Sequence, residues 1–137
     1  MRRTAYASPD YLRRRGTPLH PRQLIDHSCI SFEGVTPAHS WIFRENSKDV
    51  STPIQPRLAV NTAEAAVDAA VSGLGITQTL SYQAKRAVGE GQLVALLEDF
   101  ERPPSPVHIV YLSQGVLPLK LRTFLDFAVP RLRSVLC

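Results

Sequence analysis

Val60-Asn61-Thr62-Ala63-Glu64-Ala65-Ala66-Val67-Asp68-Ala69-Ala70-Val71-Ser72-Gly73-Leu74-Gly75-Ile76 is the stretch that decides the fold. Asn61 is a capping residue type, and Glu64 stands three positions later, a capping-box arrangement that predicts a helix start. Ala63, Ala66, Val67, Ala70, Val71 and Leu74 then recur at alternating spacings of three and one, which draws a single apolar face along a helix. The side chains on that face are small, so the helix can lie close against a sheet. Gly73 and Gly75 stop it. Arg57 to Val60 before it and Ile76 to Leu80 after it read as strands, which makes the unit strand, helix, strand.

The same alternation continues outward. Toward the N-terminus, Arg3 to Ala7 predicts a short strand, and Ser8-Pro9-Asp10 opens a helix with a cap, a first-position proline and an acid in the first turn. Gly16 closes that helix. Pro21 to His27 predicts a second short helix with Leu24 and Ile25 facing inward. Ser28 to Phe32 is expected as a strand, Glu33 to Ser40 as a polar loop, Trp41 to Glu45 as a strand and Asn46 to Asp49 as a turn. Toward the C-terminus, Ser81 to Val88 predicts a helix closed by Gly89, and Gln92 to Leu97 and Val107 to Leu112 predict strands. Pro118 opens a last helix with Leu121, Phe124, Leu125, Ala128 and Leu132 on one side, and Pro130 is expected to kink or fray it. Strands alternating with helices argue for an α/β fold on a parallel or mixed sheet. The wide apolar stripe of the last helix asks for a covering surface, so self-association through it is expected.

Composition narrows the function. A chain of 137 residues with 44% apolar and 20% charged residues fits one globular domain and excludes disordered or fibrous classes. No apolar run approaches the ~18 residues of a membrane helix. The opening Met1-Arg2-Arg3-Thr4-Ala5-Tyr6 has no apolar core of a secretory signal, and Cys29 and Cys137 are too few for a disulfide scaffold. A cytoplasmic protein with reduced thiols is therefore expected. The net charge of +4 reads as a solvated basic surface rather than a nucleic-acid footprint.

Chemistry-bearing patterns are sparse. No serine sits in a nucleophile elbow, so a small hydrolase using Ser8 or Cys29 has no visible base to support it. Cys29 is expected to be a buried, inert thiol on its strand. His20, His27, His39 and His108 lack metal-ligand spacing and read as surface or loop residues; no metal and no cofactor are expected. Glu64 and Asp68 read as solvated acids on the polar side of their helix. Gly73-Leu74-Gly75 follows a helix and precedes a strand, the reverse of a dinucleotide loop. The place that invites a ligand is Phe32-Glu33-Gly34-Val35-Thr36-Pro37, which follows a strand, as ligand loops of open α/β sheets do. Thr36-Pro37 and Asn61-Thr62 can each start a helical turn whose free amides attract carboxylates.

Taken in order, these segments resemble the LysR-type transcriptional regulators. Ala7-Ser8-Pro9-Asp10-Tyr11-Leu12 with Arg15-Gly16-Thr17-Pro18 looks like the opening of the second half of their effector-binding domain. His27-Ser28-Cys29-Ile30, Trp41-Ile42-Phe43, Val60-Asn61-Thr62 through Gly73-Leu74-Gly75-Ile76, Gly91-Gln92-Leu93-Val94, Val107-His108-Ile109-Val110-Tyr111 and Leu121-Arg122-Thr123-Phe124-Leu125 resemble the segments that follow. The resemblance implies an α/β fold: a periplasmic-binding-protein-like type II lobe, with a mixed, mostly parallel sheet flanked by helices. It implies that residues 1–113 are the second lobe and 114–137 the helix that returns to a first lobe, with the helix-turn-helix outside this sequence. It further implies a regulatory rather than enzymatic role: a small, anionic effector held between lobes, oligomers, and no contact of this stretch with DNA or membrane. Phe32, Glu33, Gly34, Val35 and Thr36, with Asn61 and Thr62, are the effector positions it carries over; Gln78 and Thr79 are further candidates. A lobe of a transport-type solute-binding protein is the alternative on the same fold.

Overall fold

Tyr6 turns its ring to one side of a sheet and its neighbours Ala5 and Ala7 turn to the other, so the first strand already has two buried faces. The structure, a computed structural model, describes residues 1–32, 39–112 and 115–136. Two compact units divide it, Arg2–Pro104 and a second made of Ser105–Cys137 with Met1.

In the first unit, β1 (Arg3–Ala7) leads into α1 (Pro9–Arg15), a 3-10 helix (Pro21–Asp26) and β2 (Ser28–Phe32). A hairpin of β3 (Ser40–Glu45) and β4 (Lys48–Pro53) precedes β5 (Gln55–Val60). There follow α2 (Ala63–Val71), β6 (Ile76–Leu80), α3 (Ser81–Gly89), β7 (Val94–Leu96) and a 3-10 turn at Glu98–Phe100. The main sheet has the order β5-β2-β6-β1-β7. β2 is parallel to β5 and β6, while β1 is antiparallel to β6 and β7, so every other strand of this sheet runs against β1. This is the mixed α/β sheet, largely parallel in direction, that the alternation predicts.

One face of the sheet is covered by α2 and α3: Tyr6, Ile30, Ala66, Val67, Ala70, Ala84, Ala87 and Leu93 form its core. The opposite face carries Ala5, Ala7, Cys29 and Ile76 under Tyr11, Leu24, Trp41, Phe43 and Ile54. Each fully buried aliphatic such as Ile30, Ile76 or Leu93 contributes about 2 kcal/mol through removal from water. The predicted Gly-Leu-Gly stop has a steric basis. Gly73 takes φ +78°, and a Cβ on Gly75 would lie 2.3 Å from the Ser28 carbonyl oxygen, so β6 can start against β2 only with glycine there.

Several expectations need correction. The cap of α2 is Thr62, not Asn61: Thr62 is extended and its Oγ1 accepts the Ala65 amide at 3.2 Å, which places Glu64 one residue too early for a reciprocal box. The segment after Pro18 forms a 3-10 helix in which Leu24 is buried but Ile25 is 39% exposed. At three residues per turn, adjacent side chains diverge too far to share a face. The turn at Asn46–Asp49 is tighter than expected, because Asn46 and Ser47 take φ 49° and 64° and β4 starts at Lys48. These angles suit a two-residue hairpin. β4 itself is largely polar and exposed, with Thr52 alone buried among its residues, so it carries no apolar alternation to read. β5 begins two residues earlier than expected, at Gln55, and β7 is shorter.

In the second unit, residues 107–112 form no strand: Val110 is 89% and Leu112 99% exposed. β-branched composition gives the tendency, but a strand exists only where a neighbouring backbone completes its ladder. The final helix, α4 (Leu119–Leu136), runs through Pro130 and buries none of its described residues. Arg131 lies over the Phe127 ring, 3.5 Å from its centroid. No helix among the described residues is long and apolar enough to cross a membrane.

Candidate functional site

Parallel pairing brings the two strand ends from which the candidate segments depart side by side. Phe32, the last residue of β2, pairs with Val60, the last of β5, so the chain leaves both strands at adjacent points of the same sheet edge. Asn61 and Thr62 follow Val60 directly and are exposed. Phe32 is half-buried and packs beside Leu58 and Val60 on the α2 side. Glu33, Gly34, Val35 and Thr36 lie outside the described residues.

α2 starts at this edge. Thr62 Oγ1 takes up the Ala65 amide, and the Thr62 carbonyl takes up that of Ala66. The earlier amides of the first turn, Ala63 and Glu64, are the donors a helix leaves over at its start. Such donors, with the positive end of the helix dipole, attract a carboxylate.

β6 ends at the same edge, being parallel to β2. Gln78 and Thr79 are both buried there, on opposite faces of the strand. Thr79 Oγ1 is fully buried and without a hydrogen-bond partner among the described residues, a costly arrangement for a hydroxyl. Its cross-strand neighbour Thr4 donates instead to Glu101 Oε1, and Thr77 Oγ1 donates to the Ile30 carbonyl at 3.3 Å. Burial pushes the nearby Tyr6 phenol above its ordinary value.

The residues weighed for catalysis have structural duties. Ser8 is the N-cap of α1, its Oγ accepting the Tyr11 amide at 3.2 Å. Cys29 is fully buried, and that burial pushes its thiol up to about 12, far from the range of a thiolate nucleophile. Glu64 and Asp68 are exposed, as expected. No group of three or more His, Cys, Asp or Glu among the described residues could hold a metal ion.

His27 departs from the expected surface or loop histidine. It is 8% exposed, and its Nδ1 lies 3.0 Å from the Tyr11 hydroxyl, which also accepts the Ser28 amide at 3.0 Å. The Tyr11 hydroxyl, while accepting the Ser28 amide, has its own hydrogen to donate to Nδ1 when the neutral ring carries its hydrogen on Nε2. Sequence reading missed this cluster because its members are 16 residues apart and nothing local joins them.

Comparison with known proteins agrees with the sheet. The profile of the LysR substrate binding domain matches residues 1–133. The HTH-type transcriptional regulator CrgA of Neisseria meningitidis is 31% identical over 132 residues, 96% of this chain and 44% of that protein. The solved regulatory domain of CrgA, described as a LysR-type transcriptional regulator, superposes with a TM-score of 0.76 at 30% identity, covering 96% of this chain and 64% of that one. The regulatory domain of AphB from Vibrio vulnificus gives a TM-score of 0.79 at 25% identity, over 95% and 64%. The chain thus spans less than half of the curated regulator and 64% of the solved regulatory domains.

Proposed function

The chain belongs to the LysR substrate-binding domain family, and we propose that it is the ligand-sensing part of a cytoplasmic LysR-type regulator that binds a small anionic effector and catalyses no reaction. Residues 1–113 are read as the second lobe of the effector domain and 114–137 as the helix that packs on a first lobe. The effector lies between lobes, against Phe32, Glu33, Gly34, Val35 and Thr36 on one side and Asn61 and Thr62 on the other. The observation that supports this is the Phe32–Val60 register pair, which puts the strand ends leading into both segments side by side. The first-turn amides of α2 supply donors for a carboxylate.

The mechanism is a population shift. An effector that contacts both lobes favours one closure angle, and that angle biases DNA-binding domains attached elsewhere in an oligomer. This stretch itself makes no contact with DNA. Oligomers use the apolar side of α4, where Phe124 and Phe127 are 56% and 57% exposed.

The test is a titration of the folded chain with a panel of small carboxylates, followed by backbone amide shifts. Saturating shifts at residues 32–36 and 61–63 are expected. A panel that leaves those amides unmoved, in a sample whose other amides are dispersed, overturns the site. Light scattering checks the oligomer, and a stable monomer at high concentration overturns the role of α4.

A further inference from the structure

The ends of β2 and β5 far from Phe32 hold a concavity. It has a volume of about 220 Å³ and is lined by Arg15, Asp26, His27, Ser28, Gln55 and Arg57. Ser28 pairs with Gln55 at the start of these strands and Phe32 with Val60 at their finish, so the two places are ~13 Å apart along the ladder. The cavity is therefore separate from the proposed effector edge, and nothing said about it depends on that proposal.

Three features mark it as built. The first is a β-bulge. Cys29 pairs with Pro56 and Ile30 with Leu58, so Arg57 is a surplus residue that the ladder does not use. Bulges re-aim side chains, and this one belongs to a residue of the cavity lining. The second is the anchoring of Arg15. Its Nη2 donates to the Asp26 carbonyl at 3.1 Å, which fixes the guanidinium without neutralising it. Neither Arg15 nor Arg57 has a carboxylate partner among the described residues. The third is His27. The Tyr11 hydroxyl occupies its Nδ1, so Nε2 is the ring nitrogen left to meet a ligand, on a residue that is more than nine-tenths buried and lines the cavity.

The lining holds two cationic residues, Arg15 and Arg57, and one acidic residue, Asp26, all three exposed, so its formal charge is one positive unit in excess. Planar guanidiniums fit a planar carboxylate in paired hydrogen bonds. The small volume excludes a drug-sized ligand. We propose that this cavity is a second ligand site, which takes a small monocarboxylate with its carboxylate between Arg15 and Arg57. His27 Nε2–H and the Ser28 hydroxyl supply further donors, and Asp26 and Gln55 accept from a hydroxyl carried beside the carboxylate.

The test uses the whole 137-residue chain. Its amide spectrum is followed at constant ionic strength against sodium acetate, sodium lactate, inorganic phosphate and sodium chloride. Saturating shifts at residues 15, 26–28 and 55–57 with acetate and lactate are expected, with lactate the tighter. Arg57→Gln and Arg15→Gln each weaken binding about tenfold or more, as loss of a charged hydrogen bond does, with the rest of the spectrum unchanged. Shifts that rise linearly, that chloride reproduces, or that both variants retain overturn the site. Tighter binding of phosphate than of either carboxylate overturns the monocarboxylate assignment. A response confined to residues 32–36 and 61–63 also overturns it, while leaving the effector edge supported.

Discussion

α2 and α4 both carry apolar residues at helical spacing, yet they end in opposite surroundings. Ala63, Ala66, Val67 and Ala70 of α2 are all buried, in contact with β2 and β6. α4 has larger apolar side chains and buries none of its described residues; Leu119, Phe124, Phe127 and Val135 are each more than half exposed. The difference lies in what each stripe fits. Small residues let α2 approach a sheet made by the same chain. Bulky residues on α4 give more area to bury but require a matching surface. Periodicity identifies the face of a helix; its partner depends on shape and connectivity elsewhere.

The largest expected effect tests whether the α2 side is as tightly fitted as this contrast requires. Gly75→Ala places a methyl group against the Ser28 carbonyl and should cost about 3 kcal/mol in urea unfolding followed by the fluorescence of Trp41, the single tryptophan. A loss below about 1 kcal/mol would mean that β6 and β2 have room to separate.

The contrast itself is broken or kept by a matched pair. Ala66→Leu should lose about 2 kcal/mol by overpacking α2 against the sheet. Phe124→Ser should change the same transition by less than about 0.5 kcal/mol while lowering the mass seen by light scattering. Equal effects on the Trp41 transition would break the contrast between the two helices.

A smaller effect sharpens the picture on the α1 side. Tyr11→Phe removes the acceptor of the Ser28 amide and the donor to His27, for an expected loss of about 1.5 kcal/mol. pH gives a second readout. Burial, and then the Arg15 cation, hold the His27 imidazole below its ordinary 6.5. The folded state therefore prefers the neutral ring, and the contribution of His27 is whole above about pH 6.5. It is lost as pH falls from there through the lowered value, because the unfolded chain takes up the proton first. Stability measured from pH 7.5 to 5 should fall in wild type, and His27→Gln should flatten that fall.

The smallest expected effect is at the start of α2. Thr62→Ala should cost about 1 kcal/mol, and Asn61→Ala less, because Thr62 holds the cap bond. The reverse order would return the cap to Asn61.

Legibility followed the range of the signals. β1, α1, β2 and β6 match their sequence reading because caps, glycines and alternation are local. β4 was missed because its stability comes from pairing with β3 through a turn without glycine, and its residues are mostly polar. The strand expected at 107–112 failed for the complementary reason: composition was present and a ladder partner was not. At the candidate edge, Asn61 and Thr62 were legible as a strand-to-helix joint, while the orphan hydroxyl of Thr79 follows from three-dimensional packing. The Arg57 bulge depends on register between strands, which no stretch of sequence displays by itself.

That bulge fixes a parity. Between Pro56 and Leu58 the chain spends one residue more than its neighbour strand counts, and the ladder would close without it. Omitting Arg57 alone would keep Leu58 and Val60 in phase beneath α2, whereas omitting Ala59 would swap inside for outside over the strand's last turn of pleat. Length variation at this point of the strand is thus silent for the core at one position and ruinous two positions later.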